Sequence, residues 1–149
     1  MYTIRMTLDT LHTEWSQDQD LTLDQPDKTL RGVPFLHSKW WKYYTTERQR
    51  YLVIKEEHDN LRRAKFEWYL GRMDDAERQK RGWPLQHLRI VRQEVDTYLS
   101  SDADLLPLVA KLEHQELKLK FIEDVIKSIN GRGYLVKTYV DYLRFSQGA

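Results

Sequence analysis

The amino-acid sequence predicts an all-α protein built from long helices, and three observations lead to that class. Apolar residues recur at spacings of three and four along most of the chain, which is the period of an amphipathic helix. No stretch alternates apolar and polar residues for long enough to indicate a β-strand. The segment 38–72 contains no proline and a single glycine near its end, so it can form one continuous helix. With 149 residues, the chain is expected to form one domain, or a domain with an appendage.

The first two predicted helices are separated by a segment rich in turn-forming residues. A helix is expected over residues 7–17, where leucines and a tryptophan share one face. Residues 18–34 contain two prolines and a glycine and are expected to form a loop. Pro34 is expected in the first turn of the second helix, where its missing N–H is harmless. That helix is expected to end near Gly71.

Three further segments follow the second helix. Residues 74–82 are mostly charged and could form either a linker or an extension of that helix. A third helix is expected over residues 85–99, behind Pro84, because apolar side chains recur there in helical register. Residues 100–104 form a break that contains good capping residues.

The fourth helix is the longest apolar one in the sequence. It is expected to begin after an N-cap at Asp104, so that Pro107 lies in the first turn, where proline is tolerated. It should run to Asn130, because Gly131 supplies a C-terminal stop. A last helix is expected over residues 134–145.

The fourth helix carries a seam of residues spaced alternately three and four apart, as in a coiled coil. Seven of its eight positions are apolar, and the eighth is Gln115, a type of residue that can fix register and partner number. The seam could pack within the chain or against another copy. A second apolar flank on the same helix favours self-association, because one neighbour cannot cover both sides. We therefore expect the oligomer to be built by Leu105, Leu108, Leu112, Gln115, Leu119, Ile122, Ile126 and Ile129.

The second helix carries a stripe of basic and aromatic side chains. At about 100° per residue, these side chains fall within an arc of roughly 120°, and Glu47 is the only acid in that arc. Cations neutralise phosphates and aromatic faces stack on bases, so the stripe is typical of proteins that hold single-stranded nucleic acid without reading its sequence. A solvated helix face is the simpler alternative. The stripe consists of Tyr44, Arg48, Tyr51, Lys55, His58, Arg62, Lys65, Tyr69 and Arg72.

The net charge of +1 hides a sorted distribution of charge along the chain. Residues 1–30 hold two cations and six acids, whereas residues 31–81 hold thirteen cations and eight acids. Residues 127–149 hold four cations and one acid. Such sorting permits an anion-binding surface on a nearly neutral protein, and the near-neutral total argues against a protein that coats nucleic acid by bulk charge.

The sequence offers no arrangement typical of an enzyme or of a cofactor site. Five histidines are scattered without a metal-ligand spacing, and six glycines form no phosphate-binding loop. No set of residues indicates nucleophilic or acid–base catalysis. We therefore expect a protein that is not an enzyme and needs no cofactor.

The sequence also carries indications of where the protein works. The absence of cysteine excludes disulfides and thiolate metal sites and fits a reducing cytoplasm. The first fifteen residues lack the apolar core of a signal peptide. The apolar runs are too short to span a bilayer, so we expect no membrane partner and a cytoplasmic location.

Several short motifs occur in a defined order over nearly the full length of the sequence. They are Ser38-Lys39-Trp40; Arg63-Ala64-Lys65-Phe66-Glu67-Trp68-Tyr69 with Gly71-Arg72; Leu99-Ser100 with Asp102; Ile126-Lys127-Ser128 with Arg132-Gly133-Tyr134; and Lys137 with Arg144-Phe145. In order and spacing these motifs resemble those of the UvsY-type recombination mediators of tailed phages.

The chain departs from the pattern of that family by an extra cation, Arg62, by a reversed order of the two basic types at 63 and 65, and by two residues inserted at 130–131. An exchange of Arg and Lys keeps phosphate neutralisation but alters bidentate geometry.

The resemblance implies a homo-oligomeric ring of helical subunits, about six or seven in number, that binds single-stranded DNA. It implies that the ring helps load a RecA-like phage recombinase onto strands covered by the phage single-stranded-DNA-binding protein, in the cytoplasm of the host cell. It assigns DNA contacts to Arg63 and Lys65 and oligomerisation to the C-terminal region.

Stripe and resemblance together divide the chain into a helical DNA-binding region, 1–99, and a helical oligomerisation region, 100–149. One alternative stays open, namely a non-enzymatic oligomeric scaffold or adaptor whose stripe binds an acidic protein partner. The residues expected to contact DNA are Lys39, Lys42, Arg48, Tyr51, Lys55, Arg62, Arg63, Lys65, Trp68, Tyr69 and Arg72.

Overall fold

Six α-helices make up the described part of the chain, residues 6–148, in a computed structural model. The all-α class is confirmed, since no β-strand occurs within those residues. None of their helices is long and apolar enough to cross a membrane. Residues 1–5 and 149, which the predicted regions 1–99 and 100–149 include, lie outside the described residues. The helices are α1 (Leu8–Asp18), α2 (Pro26–Tyr69), α3 (Asp75–Lys80), α4 (Val95–Ser100), α5 (Leu106–Asn130) and α6 (Arg132–Ser146).

These residues form two compact units. The first unit contains residues 6–48 and 117–148, so it brings together the two ends of the described chain. The second unit contains Gln49–Glu116. Helices α2 and α5 each contribute residues to both units. This structural division differs from the functional division at residue 100, which stays a prediction.

Trp40 is the largest fully buried side chain, and it organises the first unit. Its indole N–H donates to an Asp18 carboxylate oxygen at 3.0 Å. The rings of Trp15 and Tyr43 meet the Trp40 ring edge-on, with centroids 5.8 and 5.3 Å away. One apolar cluster therefore holds α1, α2 and α5 together. Its other buried members are Leu11, Ile122, Val125, Ile126 and Ile129.

Helix α2 begins at Pro26, so the predicted loop over residues 18–34 is wrong from that point on. Proline is well suited to the first helical position, because the N–H that it lacks would have no partner there. The Thr29 hydroxyl donates to the Thr22 carbonyl at 2.8 Å and fastens the first turn to the preceding loop. Pro34 lies inside the helix on an exposed side. Packing of the following turns outweighs the single backbone hydrogen bond that this proline cannot make.

The predicted end of α2 near Gly71 is confirmed. Gly71 adopts a φ of 69°, a conformation that residues with a Cβ rarely adopt. The Arg72 N–H then donates to the Glu67 carbonyl at 2.9 Å, which closes the helix end. Residues 74–82 are neither a plain linker nor an extension of α2, because they contain the separate short helix α3, capped by Asp74.

The predicted helix over residues 85–99 is wrong for most of its length, since α4 begins only at Val95. The indole N–H of Trp68 donates to the Pro84 carbonyl at 2.8 Å, so a tertiary contact fixes the start of this segment in a non-helical path. Apolar spacing alone did not reveal that competing contact. Among the apolar residues of this segment, Leu88 and Val91 are exposed, whereas Val95 and Leu99 are buried.

The core of the second unit lies where the last turns of α2 meet α4 and the start of α5. Four buried residues form it, and four half-buried residues of α2 and its end pack against them. The buried residues are Ile90, Val95, Leu99 and Leu105, and the packing residues are Leu61, Phe66, Tyr69 and Leu70.

Helix α5 matches the prediction closely, but a different aspartate caps its start. An Asp102 carboxylate oxygen accepts bonds from the N–H groups of Asp104 and Leu105, at 2.9 and 3.2 Å. The predicted cap at Asp104 is therefore wrong by two residues. Pro107 lies in the first turn as predicted. Gly131 follows the last residue of α5, but its φ of −78° lets the chain re-enter a helix at once, so α6 starts two residues earlier than predicted.

The seam on α5 packs within the chain. Its eight positions are buried, apart from the half-buried Leu112. The direct contact with another copy that was expected of these positions conflicts with their burial, because a side chain covered by its own chain has no surface left to offer. An indirect effect of the seam on oligomerisation stays a prediction. The large apolar residues still exposed on α5 are Leu106 and Leu117.

A buried ion pair crosses the first unit between α2 and α5. The Lys118 ammonium lies 3.5 Å from a Glu47 carboxylate oxygen and donates to the Met6 carbonyl at 2.8 Å. Both side chains are almost fully buried, 5% and 1% exposed. Two charges buried this deeply stabilise each other, because either one alone would carry a large free-energy cost of desolvation.

Replacing Lys118 by Met should lower the free energy of unfolding by about 3–5 kcal/mol, because it removes the cation that faces a buried carboxylate. Lys120→Met is the matched control, since Lys120 lies two residues further along α5 and pairs with Asp124 at the surface. Its loss should cost less than about 0.5 kcal/mol. Denaturant unfolding followed by circular dichroism measures both, and equal losses would contradict the assigned importance of the buried pair.

Candidate nucleic-acid interface

Helix α2 carries ten of the eleven residues predicted to contact DNA, and Arg72 follows its terminal glycine. They differ in exposure, which decides whether a side chain can meet a phosphate or a base. Lys65 is buried. Four more are half-buried, namely Lys39, Tyr51, Trp68 and Tyr69, and six are exposed, namely Lys42, Arg48, Lys55, Arg62, Arg63 and Arg72.

The second unit presents three exposed arginines at and beyond the last turns of α2. Arg62 lies 3.2 Å from the Asp96 carboxylate, but both side chains are largely solvated, 47% and 80% exposed. An ion pair of this kind contributes little, so a phosphate can replace the carboxylate. Arg63 makes no ion pair within residues 6–148. Arg72 is exposed beyond the helix end, and the planar guanidinium of each arginine suits bidentate contact with phosphate.

Lys65 is held inside the second unit, so the expected contact of Lys65 with DNA conflicts with the structure. Its ammonium lies 2.7 Å from the Asp104 carboxylate and 3.3 Å from the Asp102 carboxylate. It also lies 4.4 Å from the centroid of the Trp83 ring. The side chain is only 8% exposed. Lys65 therefore joins the end of α2 to the turn before α5. The arc that defined the stripe was wide enough to include Lys65, so helical angles alone did not distinguish this buried side chain from the exposed ones.

Tyr69 belongs to the same buried network. Its hydroxyl donates to an Asp102 carboxylate oxygen at 2.6 Å. Burial raises the pKa of Tyr69, and the negative charges of Asp102 and Asp104 raise it further. Burial also opposes ionisation of Asp102, but the bonds from Tyr69 and from a backbone N–H, together with the Lys65 charge, outweigh it and lower the Asp102 pKa. The Tyr69 hydroxyl is thus committed to the fold, and stacking by this ring stays a prediction.

Trp68, the other aromatic residue expected to stack on a base, is also engaged at the second unit. Its indole N–H bonds to Pro84, and its ring meets those of Tyr69 and Trp83 at steep angles, 69° and 68°. The Trp68 ring is half-buried and fixed by three contacts, so only its solvent-exposed part can contact a base.

The middle of α2 is partly neutralised by acids. Lys55 lies 3.4 Å from the Asp59 carboxylate, and the His58 ring nitrogen lies 3.0 Å from the same residue. The hydrogen bond with His58 and the nearby charge of Lys55 lower the pKa of Asp59 despite some desolvation. The Tyr51 hydroxyl donates to a Glu116 carboxylate oxygen at 3.2 Å. These contacts weaken the positive potential that the sequence predicted there.

Lys39 is the second lysine, after Lys65, that was predicted to contact DNA and is instead paired with acids of the protein. Its ammonium lies 2.8 Å from the Glu14 carboxylate and 2.7 Å from the Asp18 carboxylate, both on α1. Burial lowers the Lys39 pKa, but the hydrogen bonds and charges of the two acids outweigh that effect and raise it. Lys39 therefore anchors α1 on α2, and the acidic residues of the N-terminal segment neutralise part of the positive charge of α2.

The structure also reveals a row of rings that the sequence prediction missed. His37, Trp41 and Tyr44 lie one turn apart along α2 in the first unit, with nearly parallel planes. Their spacing of four and three is visible in the sequence, but the predicted stripe included only Tyr44 of the three.

Each unit thus presents its own kind of surface for an anionic polymer. The second unit offers arginines without acidic partners that would be hard to displace, and the first unit offers parallel rings beside exposed cations. Side chains that read base edges, such as Asn and Gln, do not line the predicted contact set. Within the described residues, no group of three or more potential ligands could hold a metal ion.

Comparison with known proteins identifies the family. The sequence profile of a family described as "Recombination, repair and ssDNA binding protein UvsY" matches residues 14–149. The recombination protein uvsY of Enterobacteria phage T4 is 24% identical to this chain over 143 residues, which are 96% of this chain and 99% of that protein.

Solved structures share the fold. A crystal structure of the recombination mediator protein UvsY of bacteriophage T4 superposes with a TM-score of 0.81 at 23% identity, covering 96% of this chain and 99% of its own. A second lattice form gives 0.79 at 24% identity, covering 94% and 99%. At such identities the structures establish the fold, and the profile match over nearly the whole sequence establishes that the chain belongs to the UvsY family of recombination, repair and single-stranded-DNA-binding proteins.

Proposed function

We propose that the protein is a recombination mediator that binds single-stranded DNA. In this role it helps to load a RecA-like phage recombinase onto strands covered by the phage single-stranded-DNA-binding protein, in the cytoplasm of the host cell. The observation that carries the proposal is the family match over residues 14–149. The exposed arginines of the second unit support it, because they supply phosphate contacts that family membership leads one to expect.

The mechanism proposed for DNA binding is electrostatic and tolerant of sequence. Arg62, Arg63 and Arg72 neutralise phosphates and release counterions, so the affinity falls as salt rises. Exposed aromatic faces stack on bases whatever their identity. No catalytic step is needed, because a protein that holds a DNA strand in a suitable conformation changes only whether the recombinase can bind that strand. This accords with a protein that is not an enzyme.

Self-association would multiply these contacts. We propose that the protein forms a ring, of about six or seven subunits, through its C-terminal region 100–149. Since the α5 seam is buried, the surface for that contact is better sought on α6, whose side chains remain exposed over much of its length. Linked copies raise the effective concentration of each DNA site, so a ring holds a strand more tightly than one chain. The exposed apolar residues of α6 are Tyr134, Leu135, Tyr142 and Phe145.

The protein is expected to bind single-stranded oligonucleotides more tightly than duplexes of the same length, because stacking requires exposed bases. It should also shorten the lag before ATP hydrolysis by a RecA-like recombinase on strands already covered by a single-stranded-DNA-binding protein. Fluorescence anisotropy and a coupled ATPase assay measure the two effects. Binding to neither nucleic acid, together with retention of an acidic protein partner, would favour the scaffold alternative.

Arg63→Ala and Lys65→Met are expected to separate DNA binding from stability. Arg63→Ala should weaken binding by about tenfold at low salt and reduce the slope of log affinity against log salt by about 0.7, with stability unchanged. Lys65→Met should leave the slope unchanged in the folded protein but lower the free energy of unfolding by about 3 kcal/mol, because it removes the partner of a buried aspartate.

Salt titrations of binding, together with denaturant unfolding, measure both variants. The assignment fails if Lys65→Met changes the salt slope as Arg63→Ala does while the free energy of unfolding stays at the wild-type value.

A further inference from the structure

The row formed by His37, Trp41 and Tyr44 has a geometry that differs from that of the buried rings. The planes of His37 and Trp41 are inclined by 4°, with centroids 6.4 Å apart, and those of Trp41 and Tyr44 by 17°, with centroids 5.2 Å apart. In the core of the same unit, Trp15 and Tyr43 meet Trp40 at 88° and 82°. Parallel faces along a helix match the way in which successive bases stack, whereas edge-on rings fill a core.

The row is accessible. Trp41 is 53% exposed, and His37 and Tyr44 are half-buried. A tryptophan in the core would hide far more of its surface, as Trp40 does next to it. The large exposed ring is therefore available for contact with another molecule.

The charge around the row identifies the chemistry of that molecule. Residues 31–55 contain six cations and a single acid, Glu47. The acid is buried beside Lys118, and Lys39 pairs with acids of α1. Lys42 follows Trp41 directly in the sequence and is exposed. The surface around the rings therefore carries only positive formal charge from this stretch of α2, which suits an anionic polymer with flat apolar groups.

We propose that His37, Trp41 and Tyr44 form a stacking platform for one or two nucleobases of single-stranded DNA, a second binding surface besides the arginines of the second unit. The inference rests on the proposed function, since it places additional bases of the same strand. Trp41 supplies the main face, and the nearby exposed Lys42 neutralises a phosphate of the stacked nucleotides. An apolar contact between copies of the chain is the competing use of the ring.

Trp41→Ala tests the platform, with Phe35→Ala as the matched control. Phe35 lies on the same helix, is 71% exposed and points about 120° away from Trp41 around the helix axis. Affinity for a single-stranded oligonucleotide should fall about 5- to 150-fold in Trp41→Ala and stay at the wild-type value in Phe35→Ala. Trp41→Phe should restore most of the loss. The salt slope should be the same in all of them, because no phosphate contact is removed.

An abasic oligonucleotide of equal length provides a second readout. Wild-type protein should prefer the normal strand, and the preference should shrink in Trp41→Ala, because an abasic strand keeps its phosphates but offers no base to stack. Strands with 5-bromouracil should also cross-link on irradiation to the peptide that contains Trp41.

Three results would overturn the inference. Binding by Trp41→Ala at the wild-type affinity, with an unchanged preference over the abasic strand, removes the platform while leaving the proposed function intact. A change in the sedimentation mass of Trp41→Ala assigns the ring to contact between copies. Wild-type protein that fails to bind single strands at all overturns the proposed function, and the platform with it.

Discussion

The burial of one side of α2 is the constraint on which the other features depend. A helix fixes the direction of every side chain, so the burial of Trp40 and Glu47 in the first unit and of Lys65 in the second decides which neighbouring positions stay exposed. The same constraint sorts the basic residues. Those that lie beside the acids of α1 or of the turn before α5 become buried ion-pair partners, and the others stay largely in water. The basic residues of α2 therefore form two groups, one that stabilises the fold and one that remains accessible to a ligand.

The two groups of basic residues differ in how far their surroundings exclude water. Lys39 lies beside the half-buried Asp18, and Lys65 lies beside the buried Asp102. At such places a lysine loses hydration and gains strong pairing. Arg62 and Arg63 lie where the dielectric is high, so the pairing of Arg62 with Asp96 is weak and exchangeable, and Arg63 makes no ion pair within residues 6–148. Arginine keeps its charge under all conditions and offers a planar fork of donors. Residues of equal formal charge therefore serve different purposes because their surroundings differ.

Much of the fold could be predicted from the sequence, and the misses have specific causes. The period of apolar residues predicted α1, α2, α5 and α6, and Gly71 marked the end of α2. Local rules failed where a distant contact decides the path, as in the bond from Trp68 to Pro84 that precedes the irregular segment before α4. They failed in the same way for the site. The angles of an ideal helix predicted the stripe of basic and aromatic residues. They could not predict the ion pairs of Lys65, because its acidic partners lie almost forty residues further along the chain.

The arrangement of the first unit from both ends of the chain has a consequence for how the protein folds. Its bonds from Lys118 to Met6 and from Arg132 to Asp18 join residues 112 and 114 positions apart. The second unit draws on one uninterrupted stretch of sequence. Because loop closure delays contacts between distant residues, that central stretch can reach its native packing before the first unit closes. The surface around Trp41 then acquires its final support late, when residues 117–148 pack against α1 and the start of α2.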